Sequence, residues 1–359
     1  MASDSDLLFL RGALALAAKG RHIAPPNPSV GCLIVKEGSV VGRGWTHQPG
    51  AGHAEVNALA DAGDAARDGT AYVSLEPCAF HGRTPPCSQA LIHAGVSRVV
   101  AAMTDPHPQV AGQGFEQLRQ AGITVDLIEL PEAREAIVGF VSRITRGRPF
   151  VRLKVAASID GRTAMASGES KWVTGEAARA DVQAWRARSC AIVTGAETVL
   201  VDNPALTVRD QAFAQNGQIR QPLRVVLDSK LRVPESAGLF SEPGTTLVAH
   251  TGGAPGHEKA EHLQLPALND RVDLGALLDA LAQRPCNEVL VEAGPTLIGA
   301  FLESGLWDEL LVYLAPKLLG SEARPLAQLP FARMLEAIEA KIAHRDAVGE
   351  DLRLRLVPA

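Results

Sequence analysis

The chain has 359 residues, 46% hydrophobic and 21% charged, a globular mix that excludes whole-chain disorder, collagen-like repeats and coiled coils; at roughly 150 residues per domain it predicts two domains. Lys plus Arg number 35 against 40 Asp plus Glu, a formal charge of −5, so the basic excess of a nucleic-acid-coating surface is missing, while one local basic pocket for a phosphate stays open. No apolar run approaches the ~18 residues that span a bilayer, the N-terminus is acidic where a signal peptide is basic, and five cysteines are too few and too odd in number for a disulfide scaffold, which together predict a soluble cytoplasmic protein with reduced thiols.

An amphipathic helix is expected from about Ser5, with Asp6 in its first turn favouring the dipole. Residues 30–35 and 39–45 read as two strands of a hairpin joined at Glu37-Gly38. A helix over 53–62, a strand over 70–75, a helix from about Pro86 and a strand over 98–102 follow. Helix 114–121, strand 124–127 and helix 131–146 close this part. After the hairpin, strands alternate with single helices, as in an α/β sheet covered on both faces.

Arg146-Gly147-Arg148-Pro149 is a charged, Gly/Pro-bearing break, so the expected domains are 1–146 and 147–359. Beyond it the alternation restarts: strand 150–157, helix 176–187, strands 190–194, 223–228 and 245–249, helix 274–282, strand 288–291, helix 296–304 and strand 309–315. Residues 211–221 and 251–257 read as turn-rich connections. No internal repeat relates the halves.

The first half carries a metal-ligand pattern. His53-Ala54-Glu55 opens a helix, Pro77-Cys78 follows a strand, and Cys87 follows Pro85-Pro86. One imidazole and two thiolates make three ligands for a tetrahedral ion and leave a fourth position for water, as catalytic zinc requires. Both cysteines are placed behind prolines at loop-to-helix junctions, where a positive helix end favours a thiolate. Residues two apart do not share a helix face, so His53 should sit at the helix start while Glu55 reaches back to take a proton from metal-bound water and pass it on. The alternative is a closed four-ligand site completed by His47 or His81. His22, His93 and His107 read as surface residues, and Cys32, Cys190 and Cys286 as small core or boundary residues.

His-x-Glu followed by Pro-Cys and a second Cys resembles the zinc-dependent cytidine and nucleobase deaminase superfamily, in which the Glu is a proton shuttle and not a ligand. The usual Pro-Cys-x-x-Cys spacing is here stretched to eight residues between Cys78 and Cys87. With Pro26-Asn27-Pro28-Ser29-Val30-Gly31-Cys32 upstream, the chain resembles the deaminase half of the bifunctional pyrimidine deaminase/reductases of riboflavin biosynthesis. That resemblance implies a cytidine-deaminase-like three-layer α/β domain and a small-molecule substrate, with Asn27 contacting the pyrimidine; a turn residue between prolines is the plain alternative for Asn27.

The second half has neither a Gly-x-Gly-x-x-Gly nor a Walker A pattern. Strand 288–291 runs into Glu292-Ala293-Gly294-Pro295-Thr296 and an apolar helix, where a Gly turn, a Pro in the first turn and free N–H groups would suit a phosphate as well as an ordinary strand-to-helix turn. Ser158-Ile159-Asp160-Gly161, Asp228-Ser229 and Asp202-Asn203-Pro204 also follow expected strands, where open α/β sheets form ligand crevices. Lys154 lies in an apolar strand, where an unpaired ammonium is costly, which favours a pocket-facing role.

Residues 154–162, Ser167-Gly168-Glu169-Ser170, residues 202–207, residues 292–296 and Ala315-Pro316-Lys317 resemble, in order, the reductase half of the same family. This implies a dihydrofolate-reductase-like α/β domain using NADPH. Ala156, Trp172, Thr198, Asp202, Ser229 and the segment Gly294, Pro295, Thr296, Leu297, Ile298, Gly299 and Ala300 would hold the dinucleotide. Lys154, Ser170, Arg186, Leu206, Arg209 and Glu292 would hold the substrate, Arg186 and Arg209 clamping its phosphate and Glu292 orienting ribose hydroxyls. The expected partners are small phosphoribosyl pyrimidines, with no nucleic acid and no membrane; a homo-oligomer stays open. Two other readings stand beside this one: a single-function tRNA or nucleoside deaminase with a C-terminal binding module, and a non-catalytic zinc-stapled protein.

Overall fold

The computed structural model describes residues 3–81, 85–108, 110–215, 217–253 and 258–359. The chain divides into two units, Met1–Gly147 and Arg148–Ala359.

The first unit begins with a reciprocal cap. The Ser3 hydroxyl accepts the Asp6 N–H and the Asp6 carboxylate accepts the Ser3 N–H, which satisfies two orphan donors and starts helix α1 (Asp4–Gly20). Asp6 also points inward, taking the Tyr72 hydroxyl and the Arg98 guanidinium at 2.8 Å each. The hairpin strands β1 (Gly31–Lys36) and β2 (Ser39–Trp45) follow, then α2 (Ala54–Ala62), β3 (Thr70–Val73), α3 (Cys87–Ala94), β4 (Arg98–Ala101), α4 (Gln113–Gln120), β5 (Thr124–Leu127), α5 (Pro131–Ala136) and α6 (Val138–Arg146). The sheet order is β2-β1-β3-β4-β5, antiparallel up to β3 and parallel beyond it. Glycines let helices lie directly on both faces: a Cβ at Gly31 would stand 1.9 Å from the Ala13 carbonyl of α1, and one at Gly44 would stand 2.1 Å from the Ala54 carbonyl of α2. Gly44 pairs with Cys32, the neighbour of Gly31, so the two contacts fall on opposite faces.

The second unit comprises β6 (Phe150–Ser158), β7 (Arg162–Ala164), α7 (Glu176–Arg188), β8 (Ala191–Gly195), α8 (Ala196–Asp202), β9 (Leu223–Leu227), β10 (Thr246–His250), β11 (Glu261–Gln264) and the short pair β12 (Ala267–Leu268) and β13 (Arg271–Val272). Then come α9 (Leu274–Gln283), β14 (Glu288–Glu292), α10 (Pro295–Glu303), β15 (Glu309–Ala315), β16 (Arg324–Pro325), β17 (Ala340–Val348) and β18 (Asp351–Pro358). Nine strands form one sheet in the order β11-β10-β9-β8-β14-β6-β15-β18-β17, the first seven parallel and the last two antiparallel. Strand β6 shows how its sequence serves two layers: Val151, Leu153, Val155 and Ala157 enter the core shared with α9 and α10, while Arg152, Lys154 and Ala156 face the other side, toward polar partners of α7.

Several expected boundaries move. Residues 131–146 are two helices, broken where Ile137 leaves the helical region at φ −121°. Asp202 ends helix α8 and does not follow a strand, a short helix hidden by its β-branched run. Cys78 lies in the loop after β3, where no helix starts directly behind it among the described residues, whereas Cys87 opens α3. The β17–β18 hairpin was not foreseen. Within the stretched Cys78–Cys87 spacer, residues 82–84 lie outside the described residues, as do 254–257 of the 251–257 connection and Asn216 of the 211–221 connection.

Candidate metal centre and dinucleotide cleft

In the first unit, His53 is the residue preceding α2, extended at φ −73° and ψ 168°, and Glu55 sits in the first turn behind it. Strand β3 delivers the loop bearing Cys78, and α3 begins at Cys87. The three side chains converge: His53 Nδ1 lies 3.2 Å from Cys87 Sγ and 3.7 Å from Cys78 Sγ, with all three ligand atoms within 4.8 Å of one another. A tetrahedron built on Zn–N and Zn–S bonds of about 2.0–2.3 Å has edges of roughly 3.3–3.8 Å, so this donor set fits the ion. Among the described residues the group has three members, and neither His47 nor His81 joins it.

The charges also fit a cation. The Cys87 thiol donates to Cys78, His53 stands beside it, and the first N–H of α3 reaches Cys78 Sγ at 3.3 Å, which together hold the Cys78 thiol down at about 4. Cys87, as the donor, is pushed well up, and His53 is raised chiefly by its bond to Cys78. These groups share protons where a metal would replace them. Glu55 is buried, 4% exposed, and lies beside Cys87; desolvation, aided by the Cys78 charge, raises its carboxyl to about 7. Asn27 lies in the turn before β1, its N–H on the Ala24 carbonyl at 2.8 Å.

In the second unit, a cleft of about 1410 Å³ opens at the carboxyl ends of β8, β9 and β14, where parallel sheets place ligands. Thr198, Asp202, Ser229, Gly294, Pro295, Thr296, Leu297 and Ala300 line it. Gly294 precedes α10 in an extended conformation, and a Cβ there would meet only Thr198 Oγ1 at 3.9 Å, so the space before this helix end is free for a ligand. Its N–H donates to Thr198 Oγ1 at 3.2 Å. Size, the helix N-terminus and the lining cations Lys230, Arg232, Arg271 and Arg324, which sequence reasoning missed and which stand among the carboxylates of Glu197, Asp202, Asp228, Asp270, Asp273 and Glu303, suit a phosphorylated dinucleotide with ribose hydroxyls. Lys230 directly follows Asp228-Ser229 and was the available signal.

The remaining expected residues divide. Ile298 is fully buried in the core and Gly299 backs onto the Gln328 backbone at a would-be 2.0 Å, so neither presents a side chain to the cleft. Ala156 lies on β6, and Trp172 is 62% exposed with Arg179 over its ring at 4.6 Å; neither lines the cleft. Ser170 accepts the Val173 N–H at 3.1 Å through its carbonyl. Arg186 and Glu292 face each other: Nε to Oε1 at 2.6 Å and Nη2 to Oε2 at 3.0 Å, with Nη1 on the Thr207 carbonyl at 3.1 Å. Lys154, opposite Glu292 in the β6–β14 register, stands 3.8 Å from the same carboxylate. Burial alone would raise Glu292; Arg186 and Lys154 instead hold it at about 2, while desolvation lowers Lys154. Arg209 is exposed, its backbone held by Gln183 at 2.8 Å, and Leu206 beside it is buried at φ 51°.

Two family models match: the cytidine and deoxycytidylate deaminase zinc-binding region over residues 3–103, and the RibD C-terminal domain over residues 149–354. The riboflavin biosynthesis protein RibD of Escherichia coli K12 is 48% identical over 365 residues, covering 99% of this chain and all of that one. The chain belongs to the RibD family of riboflavin biosynthesis proteins. The Haemophilus influenzae RibD is 45% identical over 99% of this chain and 98% of its own. The solved Acinetobacter baumannii RibD superposes with a TM-score of 0.92 at 43% identity, covering 99% of each chain. A diaminohydroxyphosphoribosylaminopyrimidine deaminase/5-amino-6-(5-phosphoribosylamino)uracil reductase from Thermotoga maritima gives 0.88 at 30% identity, again over 99% of each. As a RibD-family protein, the chain is a bifunctional enzyme whose deaminase domain binds zinc and whose reductase domain uses NADPH. The reading as a single-function deaminase with a C-terminal binding module gives way, because residues 149–354 match a reductase domain. Among the described residues no helix is long and apolar enough to cross a membrane.

Proposed function

We propose that residues 1–146 hydrolytically deaminate 2,5-diamino-6-(5-phosphoribosylamino)pyrimidin-4(3H)-one and that residues 147–359 reduce the ribosyl chain of the resulting 5-amino-6-(5-phosphoribosylamino)uracil to the ribityl product. The observation that carries the first half is the buried Glu55, in the first turn of the helix that His53 precedes, beside a group of three protein ligands. His53, Cys78 and Cys87 would hold the zinc, which when bound would supply an acidified water. Glu55 accepts a proton at its carboxylate and returns it to the departing amine, as a buried carboxylate beside the metal can. Asn27 orients the pyrimidine.

In the reductase half, NADPH supplies the hydride. Thr198, Asp202, Ser229 and the Gly294–Ala300 segment would hold it, the segment through its cleft-facing residues and backbone, while Ala156 and Trp172, which lie outside the cleft, would meet the part of the cofactor that extends beyond it. Arg186 is paired with Glu292 and therefore fixes that carboxylate toward ribose hydroxyls, which leaves the exposed Arg209 as the phosphate contact. Lys154, Ser170 and Leu206 complete the substrate pocket. The substrates are small phosphoribosyl compounds with no nucleic acid involved, and five free thiols fit a cytoplasmic setting.

Stripping zinc with a chelator should abolish ammonia release from the diaminopyrimidine, while NADPH oxidation on adding deaminated substrate continues. Substantial ammonia release from verified zinc-free enzyme would refute the catalytic metal. Absence of NADPH oxidation with intact enzyme would refute the reductase assignment.

A further inference from the structure

Neither proposed site uses Cys190 or Cys286, yet the fold brings them together. Cys190 directly precedes β8 and Cys286 lies two residues before β14. These are neighbouring parallel strands whose carboxyl ends, Gly195 and Glu292, border the reductase cleft and its ion pair. The thiols therefore sit at the amino ends of these strands, about 16 Å of five-residue strand away.

The backbone at Asn287 and Glu288 serves both sulfurs. The Asn287 N–H donates to Cys190 Sγ at 3.2 Å, and Cys286 Sγ reaches the Glu288 carbonyl at 3.6 Å. The Cys190 N–H bonds that same Glu288 carbonyl at 2.9 Å. The Cys286 thiol lies beside the Cys190 sulfur. The two members differ in access: Cys286 is 4% exposed, whereas Cys190 is only partly buried. Arg220, bound through Nη2 to the Ala187 and Ser189 carbonyls at 2.6 and 2.8 Å, brings positive charge to Cys190. A sulfur with a nearby guanidinium, a backbone donor and a second thiol, on a residue that is only partly buried, is the setting of a reactive cysteine.

We propose that Cys190 and Cys286 form a redox-modification site in which a small hydroperoxide oxidises the pair to an intramolecular disulfide. The Cys190 thiolate attacks one peroxide oxygen, the O–O bond breaks, and Cys190 becomes a sulfenic acid while the alcohol, or water from hydrogen peroxide, departs with a proton. Cys286 sulfur then attacks Cys190 sulfur. The S–S bond forms, the S–O bond breaks, and the hydroxide leaves as water with the Cys286 proton. Two thiols lose two electrons and two hydrogens, and one peroxide is reduced. The bonds and charge above put Cys190 in the attacking role: they hold its thiol down at about 6 and push that of Cys286 well up.

The test treats zinc-loaded, full-length enzyme with a slight excess of hydrogen peroxide, blocks remaining thiols under denaturing conditions and maps the peptides. A single Cys190–Cys286 crosslink, 2 Da lighter than the reduced pair and reversed by dithiothreitol, is expected, with the fully buried Cys32 still alkylated. In Cys286→Ser the reaction should stop at a Cys190 sulfenic acid trapped by dimedone. In Cys190→Ser, Cys286 should stay unreacted. The proposal is overturned if both cysteines remain alkylatable after peroxide treatment, if Cys190 pairs with another thiol or another chain, or if Cys286 takes the dimedone in Cys190→Ser.

Discussion

The metal centre of the first unit and the substrate pocket of the second both gather charge in a buried place, but they neutralise it differently. Around Cys78 three potential ligands, His53, Cys78 and Cys87, crowd within 4.8 Å of one another, so a cation would complete them. Around Glu292 the carboxylate already has Arg186 and Lys154 as partners. The first site is an incomplete set waiting for a cation. The second is a set whose charges are already satisfied within the protein, so under the proposed function substrate recognition would fall to groups outside the pair, such as Arg209. Removing one residue should thus cost chemistry in the first unit and both stability and chemistry in the second.

The sharpest break is Glu55→Gln, which keeps the size of the side chain but cannot carry a proton as a carboxylate does. Ammonia release should fall by about 10²–10⁴-fold, with zinc content by metal analysis and NADPH oxidation on deaminated substrate both unchanged. Equal loss of the two activities in a folded variant would erase the distinction between the sites.

Next in size is Glu292→Gln, which leaves Arg186 and Lys154 facing a neutral amide. Breaking a buried pair from one side costs about 3–5 kcal/mol, so denaturant titration should show the reductase unit weakened and NADPH oxidation reduced, with ammonia release kept. The acid limb checks the cause. The folded carboxyl is held near 2 against an ordinary 4.5, so its contribution is complete above about pH 4.5 and is lost as pH falls through 2. The parent should lose stability more steeply than the variant between pH 5 and 2; parallel acid limbs would show that the pair does not stabilise the fold.

What the chain disclosed in advance follows the same contrast. His53, Cys78 and Cys87 could be read from the sequence because ligand chemistry is specific to residue type, and Glu55 because an extended His53 has to precede its helix turn. The pairing of Arg186 with Glu292 could not, since 106 residues separate them and either charge alone reads as a solvated face. Lys154 was legible as misplaced in an apolar strand, but its partner was hidden until the β6–β14 register set it opposite Glu292. Strand β18 was legible and passed over: Leu352, Leu354 and Leu356 alternate with Arg353 and Arg355, and Gly349 supplies the turn at φ 62°. Its partner β17 is exposed along almost its whole length, so no buried face stamped a period-two pattern on it.

Arg209→Ala tests the claim that recognition in the second unit falls outside the closed pair. Its side chain is exposed, so truncation should leave stability nearly untouched. Loss of charged hydrogen bonds to a substrate phosphate costs about 1.5–3 kcal/mol, so the substrate KM for reduction should rise roughly 10–150-fold, with the KM for NADPH and ammonia release unchanged. A KM that does not move would return the phosphate to Arg186.

The smallest effect expected concerns the cleft, where the free space before α10 is set by one neutral hydrogen bond. Thr198→Val preserves the branched shape and removes only the hydroxyl that accepts the Gly294 N–H at 3.2 Å. A single neutral bond contributes about 0.5–1.5 kcal/mol, so the unfolding midpoint should move slightly. The more telling quantity is the NADPH dissociation constant. If the Gly294 turn is positioned by Thr198 for the cofactor, that constant should rise roughly 2–12-fold, as the same free energy requires, while substrate KM at saturating NADPH stays put. A midpoint that falls with unchanged NADPH affinity would make Thr198 a purely structural brace. An unchanged midpoint with weakened NADPH binding would instead mean that the hydroxyl turns from Gly294 to the cofactor on binding, so that this cleft, unlike the pocket around Glu292, is completed by its ligand just as the metal centre is.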